Sequence, residues 1–190
     1  MSFVQGFQVR ERLSESKHSV VLRALRDSDG MPVVLKILKN DFPTASELAR
    51  YRREFEISHS LNLPGVICGY ELRRHDKTFL MVFEDFGGMS IANLLRQRKL
   101  STEEFFETAT QVATALGRVH DAQIIHKDIN PGNLVINPGT GEVKIIDFGI
   151  STRFSVEHPT LKSPEVLEGT LAYMSPEQTG RMNRSLDYRT

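Results

Sequence analysis

The chain has 190 residues, 39% hydrophobic and 25% charged, with Lys+Arg and Asp+Glu equal at 24 each. That is apolar material for one good core, and the balanced charge excludes the basic excess that marks nucleic-acid or membrane-surface binding. The single cysteine, Cys68, excludes an internal disulfide and reads as a small buried apolar residue. Met1 to Gly6 carry neither a basic n-region nor an apolar h-region, and no apolar run approaches the roughly 20 residues of a membrane span. A cytoplasmic domain without direct membrane insertion and without a nucleic-acid partner is expected.

In chain order, Phe7 to Leu13 and Ser19 to Arg26 are strand-like runs, and Asp27-Ser28-Asp29-Gly30 signals a turn before a third run, Met31 to Leu38. The core of that run is apolar except for Lys36. A lysine there is costly unless it reaches solvent at a sheet edge or meets a charge. Ser46 to Leu61 reads as a helix with Ser46 as N-cap and with Leu48, Tyr51, Phe55 and Ile57 or Ser58 on its apolar face. Thr78 to Phe83 reads as a buried strand running into a charged, then flexible, connector, Glu84 to Gly88.

Ser90 to Arg98 is a short helix. A longer one opens at Ser101, whose pairing with Glu104 makes a capping box, and Phe105, Ala109, Val112, Leu116 and Val119 continue one face to about His120. Ile124-Ile125 then feeds a polar loop. Leu134 to Ile136, the turn Asn137 to Gly141, and Val143 to Ile146 form a hairpin.

The polar loop is His126-Lys127-Asp128-Ile129-Asn130-Pro131-Gly132-Asn133, and Asp147-Phe148-Gly149 follows fourteen residues after Asn133. The hairpin holds Asn133 and Asp147 at the ends of two adjacent strands. The loop resembles the catalytic loop of the protein kinases, H-R-D-x-x-x-x-N, and the triplet resembles their D-F-G. The resemblance runs from about Phe7 to Thr190. It implies an α+β, two-lobed protein-kinase-like fold. Residues 7–83 would form a β-rich N-lobe with one main helix, 84–88 a hinge, and 89–190 a helical C-lobe incomplete at its C-terminus. The whole of 1–190 would then be a partial kinase domain, marginally stable and poorly active by itself.

The same resemblance implies roles. Asp128 accepts or orients the proton of the attacking hydroxyl, and Asn133 and Asp147 hold Mg2+. Lys36 holds the ATP phosphates and pairs with Glu54 on the helix, with Glu56 as the rival. The phosphate-covering loop aligns on Ser14 to Val21, with serine at all three glycine positions, and brings Ser14, Ser16 and Val21 to ATP. Val34 lies by the adenine and Phe83 is the gatekeeper. The Glu84 carbonyl and Phe86 amide face the base, and Val135 belongs to the same ATP site. Asn130 stands where most serine/threonine kinases carry a lysine that touches the transferred phosphate. His126 is expected to pack and hydrogen-bond within the loop.

Ser151 to Glu168 reads as a mobile loop, with Ser151, Thr152, Ser155, Thr160 and Ser163 as candidate phosphorylation sites and Lys127 as their partner. Gly169 to Glu177 resembles the family's G-T-x-x-Y-M-A-P-E, which implies a protein substrate and places Thr170 beside Asp128. Tyr173 to Arg184 looks like large bacterial signalling proteins in which a kinase precedes ATPase, sensor and histidine-kinase modules. The implied function is ATP- and Mg2+-dependent phosphoryl transfer to serine or threonine hydroxyls of a protein in signal transduction. The serine-substituted loop and Asn130 keep open a pseudokinase or regulatory ATP-binding module. A small-molecule phosphotransferase is disfavoured by Gly169 to Glu177.

Overall fold

The structure is a computed structural model that describes residues 4–40, 43–75, 77–153, 169–179 and 187–188. The first lobe is built from strands β1 (Phe7–Glu15), β2 (Ser19–Arg26) and β3 (Pro32–Leu38), helix α1 (Ala45–Leu61), and strands β4 (Gly69–His75) and β5 (Thr78–Glu84). The strands form one antiparallel sheet in the order β1-β2-β3-β5-β4. Strand periodicity divides β3 between two faces. Val33, Leu35 and Ile37 pack with Phe7, Leu22, Leu80 and Val82 in one core. Val34 and Leu38 pack on the other side, with Tyr51 of α1 and with Met81 and Phe83 of β5.

Lys36 shares that second face. β3 lies between β2 and β5, with Lys36 opposite Val21 and Met81. A sheet-edge position reaching solvent is therefore closed to it.

Helix α1 begins earlier than the sequence suggests. Its N-cap is Thr44, not Ser46: Thr44 Oγ1 accepts from the Glu47 N–H (3.2 Å) and the Glu47 carboxylate accepts from the Thr44 N–H (2.8 Å). Ser46 has Ala49 three residues later and cannot build the reciprocal box. The buried residues of α1 are Tyr51, Glu54, Ile57 and Ser58, so half of its covered face is polar.

The second lobe contains β6 (Met89–Ser90), α2 (Ile91–Gln97), α3 (Thr102–Asp121), β7 (Ile124–Ile125), β8 (Leu134–Ile136), β9 (Val143–Ile145) and β10 (Thr152–Arg153), with a 3-10 turn at Leu171–Tyr173. Strands β6, β8 and β9 make one small sheet, and β10 and β7 another. Ser101 and Glu104 form the expected capping box of α3. Its covered face is Thr108, Ala115 and Val119, whereas Phe105 is exposed and meets Phe106 edge to face. The expected apolar face therefore does not extend to the first turn. Among the described residues no helix is long and apolar enough to cross a membrane.

The lobes touch through backbone. Ile67 N donates to Ile145 O (3.0 Å) and Ile145 N to Gly65 O (2.8 Å). Gly65 has φ +82°, and a Cβ there would lie 2.6 Å from that of Ala115. Only glycine allows this approach. Ile57 and Val66 then join Ala115, Val119, Ile124, Ile145 and Phe148 in a core shared by both lobes.

Candidate active site

The β7–β8 loop is organised from His126 outward. His126 is buried, and its Nδ1 accepts from the Asp128 N–H (3.2 Å). Its Nε2 therefore carries the proton and donates to Ile146 O (3.0 Å). Burial pushes the imidazole pKa down, which keeps this neutral tautomer. Phe148 is fully buried, with its ring centroid 4.9 Å from that of His126. Here His126 braces the loop.

Lys127 takes φ +70°, a left-handed conformation that costs a non-glycine residue about 1–2 kcal/mol. The turn aims Asp128 between two donors. Asn133 Nδ2 reaches Asp128 Oδ2 at 2.7 Å, and the Thr170 N–H reaches Oδ1 at 2.9 Å. Asn133 Nδ2 also donates to Asp128 O (2.9 Å). With its nitrogen committed there, Asn133 has its amide oxygen to offer as an acceptor. Asn130 donates from Nδ2 to Asp128 O (3.1 Å) and Thr170 Oγ1 (3.2 Å), and its Oδ1 accepts from the Gly132 N–H (2.8 Å). It is buried and ties the loop internally.

The second half of the site follows β9. Ile146 N donates to Asn133 O (3.0 Å), which sets Asp147 beside Asn133. Asp147 has φ +64°, and its Oδ1 accepts from the Gly149 N–H (3.2 Å). Its Oδ2 lies 3.4 Å from Lys36 Nζ, which is 2.5 Å from Glu54 Oε1. Glu56 is exposed on α1 and makes no ion pair with Lys36 among the contacts of that amine. The Tyr51 hydroxyl donates to Lys36 O.

Charge and burial compete in this triad. Burial disfavours the ammonium of Lys36, but Glu54 and Asp147 hold its pKa above the ordinary value. Burial pushes Glu54 up to about 7, helped by the charge of Asp147 and opposed by Lys36. Burial also opposes ionisation of Asp147, yet Lys36 and the Gly149 N–H keep its pKa low. The donor types, one carboxylate and one amide on neighbouring strand ends, fit a hard cation completed by water and phosphate oxygens. Among the described residues no three His, Cys, Asp or Glu side chains gather into a fuller metal cage.

A half-buried apolar surface adjoins the triad. Val34 and Phe83 face each other across β3 and β5 and pack with Phe86 and Ile146. Val21 stands opposite Lys36 on β2. Val135 and Phe86 crowd Gly88 so closely that a Cβ there would lie 2.4 Å from Val135 Cγ1. Glu84 turns its carboxylate away from strand β5, accepting from the Cys68 N–H (2.8 Å) and from Lys144 Nζ (2.7 Å).

The serine hairpin is closed on itself. Ser16 N donates to Ser19 O (2.8 Å), and Ser16 Oγ accepts from the N–H groups of His18 (3.2 Å) and Ser19 (3.0 Å). These are amides that a glycine loop would offer to phosphate. Ser14 is exposed and pairs with Val21. Of the candidate phosphorylation sites, Ser155, Thr160 and Ser163 lie outside the described residues. Ser151 is wholly buried and donates to His126 O (3.1 Å), so it is a brace of the loop and not an accessible hydroxyl. Thr152 is half-buried in β10.

Three contributors escaped the sequence reading: Tyr51 on Lys36, Lys144 on Glu84, and Gln178, whose Nε2 donates to Lys127 O (2.7 Å). Each acts by side-chain reach across the fold, and no motif or spacing marks it.

Comparison with known proteins identifies the family. The family model described as protein kinase domain matches residues 7–188. Serine/threonine-protein kinase PrkC of Bacillus subtilis is 32% identical over 148 residues, which are 77% of this chain and 22% of that protein. Serine/threonine-protein kinase PknA of Mycobacterium tuberculosis is 31% identical over 165 residues, covering 83% and 38% respectively. Serine/threonine-protein kinase pkn3 of Myxococcus xanthus is 30% identical over 192 aligned residues, covering 97% and 35%. The chain thus spans between about a fifth and two fifths of the length of these relatives. A match of that extent, on a fold that gathers these side chains, makes the chain a member of the protein kinase family.

Proposed function

We propose that the protein transfers the γ-phosphoryl group of ATP to serine or threonine hydroxyls of a protein substrate. The observation that carries this reading is the joint geometry of two charged centres. Lys36 bridges Glu54 (2.5 Å) and Asp147 (3.4 Å), and Asp128 is aimed by Asn133 and Thr170 (2.7 and 2.9 Å). Phosphoryl transfer asks a protein for positioning and charge neutralisation, which such centres supply.

In this reading Lys36 binds phosphate oxygens, with Glu54 fixing its amine. Asp147 and the Asn133 amide oxygen would hold Mg2+, which when bound neutralises phosphate charge. Asp128 accepts the proton of the attacking hydroxyl, and Thr170 brings the substrate-side segment against it. Val21, Val34, Phe83 and Val135 line the adenine, with the Glu84 carbonyl and Phe86 N–H at its edge. Ser14 and Ser16 cover the nucleotide from the hairpin. Residues 7–83 and 89–190 act as the lobes of the kinase domain, with 84–88 as hinge. The Tyr173 to Arg184 sequence supports the finer reading of a cytoplasmic signalling protein carrying ATPase and histidine-kinase modules beyond this domain.

A regulatory ATP-binding module is the second reading. The self-capped Ser16 turn and the neutral Asn130 favour it. The test is phosphate transfer from labelled ATP by the full-length protein and its Asp128→Ala and Asp147→Ala variants. Each variant is expected to lose about 100-fold or more. ATP binding by the wild type with no transfer above the Asp128→Ala background would establish the regulatory reading instead.

A further inference from the structure

The segment 169–179 is cross-linked to the loop 126–133 at two points, and only one belongs to a recognised motif. Thr170 meets Asp128 and Asn130. The second contact is Gln178, one residue past the Gly169 to Glu177 stretch. Its Nε2 donates to Lys127 O at 2.7 Å. Its Oε1 accepts from the Ser175 N–H (3.1 Å) and Ser175 Oγ (3.4 Å), while the Gln178 N–H donates to Ser175 O (3.1 Å). The amide is thus fixed at both ends.

What it grips is the peptide unit from which Asp128 projects. The carbonyl of that unit is held by Gln178, and its N–H is held by His126 Nδ1 (3.2 Å). A peptide is planar, so two bonds at opposite ends fix the orientation of the whole unit. That orientation sets where the Asp128 carboxylate points. The unit also needs fixing, because Lys127 before it sits at φ +70°, a conformation that persists only when its surroundings over-determine it. Asn133 and Thr170 hold the carboxylate from the front; Gln178 holds its root from behind.

We infer that Gln178 is a positioning residue for Asp128, coupling the substrate-side segment to the base through the Lys127 carbonyl. The inference rests on the kinase reading above. It makes the aim of the base depend on whether the 175–179 turn is docked.

Two variants of the full-length protein separate this role from a merely local one. Gln178→Glu keeps an oxygen for Ser175 but has no donor for Lys127, and Gln178→Met has neither. Both are expected to lower kcat on a protein substrate about five- to tenfold, the size of one lost hydrogen bond, with KM for ATP unchanged within about twofold. Amide exchange across residues 124–133, followed by mass spectrometry, should quicken in both. If Gln178→Glu keeps wild-type kcat and exchange while Gln178→Met does not, Gln178 only builds the Ser175 turn and the inference fails. If the wild type itself transfers nothing above Asp128→Ala, the kinase reading fails, and the exchange measurement alone decides whether Gln178 orders the Asp128 peptide.

Discussion

Lys36 shows how one side chain is made useful by its neighbours. A buried ammonium is unfavourable, and here two carboxylates offset the cost while one of them, Glu54, has its own pKa raised to about 7. The arrangement selects Glu54 over Glu56, since Glu54 faces the sheet and Glu56 faces solvent on the same helix. Glu54→Gln keeps the shape and a hydrogen-bond acceptor but leaves the Lys36 charge less balanced. Its affinity for Mg2+-ATP is expected to fall about tenfold, equivalent to about 1.4 kcal/mol, with Glu56→Gln unchanged within about twofold. Titration calorimetry on the full-length protein reads both; equal losses in the two variants would contradict the assignment. The residues that meet in the site, Lys36, Glu54, Asp128, Asn133 and Asp147, were legible because they stand at the spacings of protein-kinase motifs. Gln178 was not, because a single amide reaching a backbone carbonyl leaves no pattern in the chain. The serines of the hairpin were visible as substitutions, but their mutual capping depends on the turn that Ser16 itself closes.

At the scale of elements, the ends of helices were decided by local chemistry that the sequence carried unevenly. Before α3 the cap-type residues are Ser101 and Thr102, and only Ser101 has a Glu three positions later, so the start of α3 could be placed to the residue. Before α1 there are two cap-type residues, Thr44 and Ser46, and only Thr44 has a Glu three positions later. Strand β4, expected after Pro64 without bounds, was harder to place for a different reason. It is one of the two edges of the sheet and carries Glu71, Arg73, Arg74 and His75, charges that suit an edge and blur the strand alternation. The α1 cap gives a direct test. Thr44→Ala removes one member of the capping box and should cost about 1 kcal/mol, whereas Ser46→Ala should stay within about 0.5 kcal/mol. Denaturant midpoints at constant slope measure both. A larger loss at Ser46 would mean that the helix starts where the sequence pattern first placed it.

The whole molecule depends on how two lobes are held at one angle, and β9 carries two of the ties. Its backbone pairs with Gly65 and Ile67 of the first lobe, and its Lys144 pairs with Glu84 at the end of β5 (2.7 Å). The pair is well shielded, at 13% and 18% side-chain exposure, and Lys144 Nζ also lies 5.1 Å from the Phe86 ring centroid. Burial disfavours the Lys144 ammonium, but Glu84 raises its pKa above the ordinary value, so the charge is retained. Lys144→Met would strand the Glu84 carboxylate with the Cys68 N–H as its remaining partner in this network. The expected cost is about 2 kcal/mol, below the range for a fully buried pair because some solvent reaches both groups. In the double variant Glu84→Gln/Lys144→Met the amide oxygen can still accept from Cys68, and the carboxylate that loses Lys144, Glu142 at 3.4 Å, is 49% exposed and stays solvated. Stability should therefore return to within about 1 kcal/mol of the wild type, a coupling that a double-mutant cycle reads directly. Exchange of the Ile145 amide, which donates across the lobes to Gly65, should quicken in Lys144→Met and recover in the double variant. A neutral Lys144→Met with unchanged Ile145 exchange would show instead that Glu84 meets Lys144 without restraining the lobe angle.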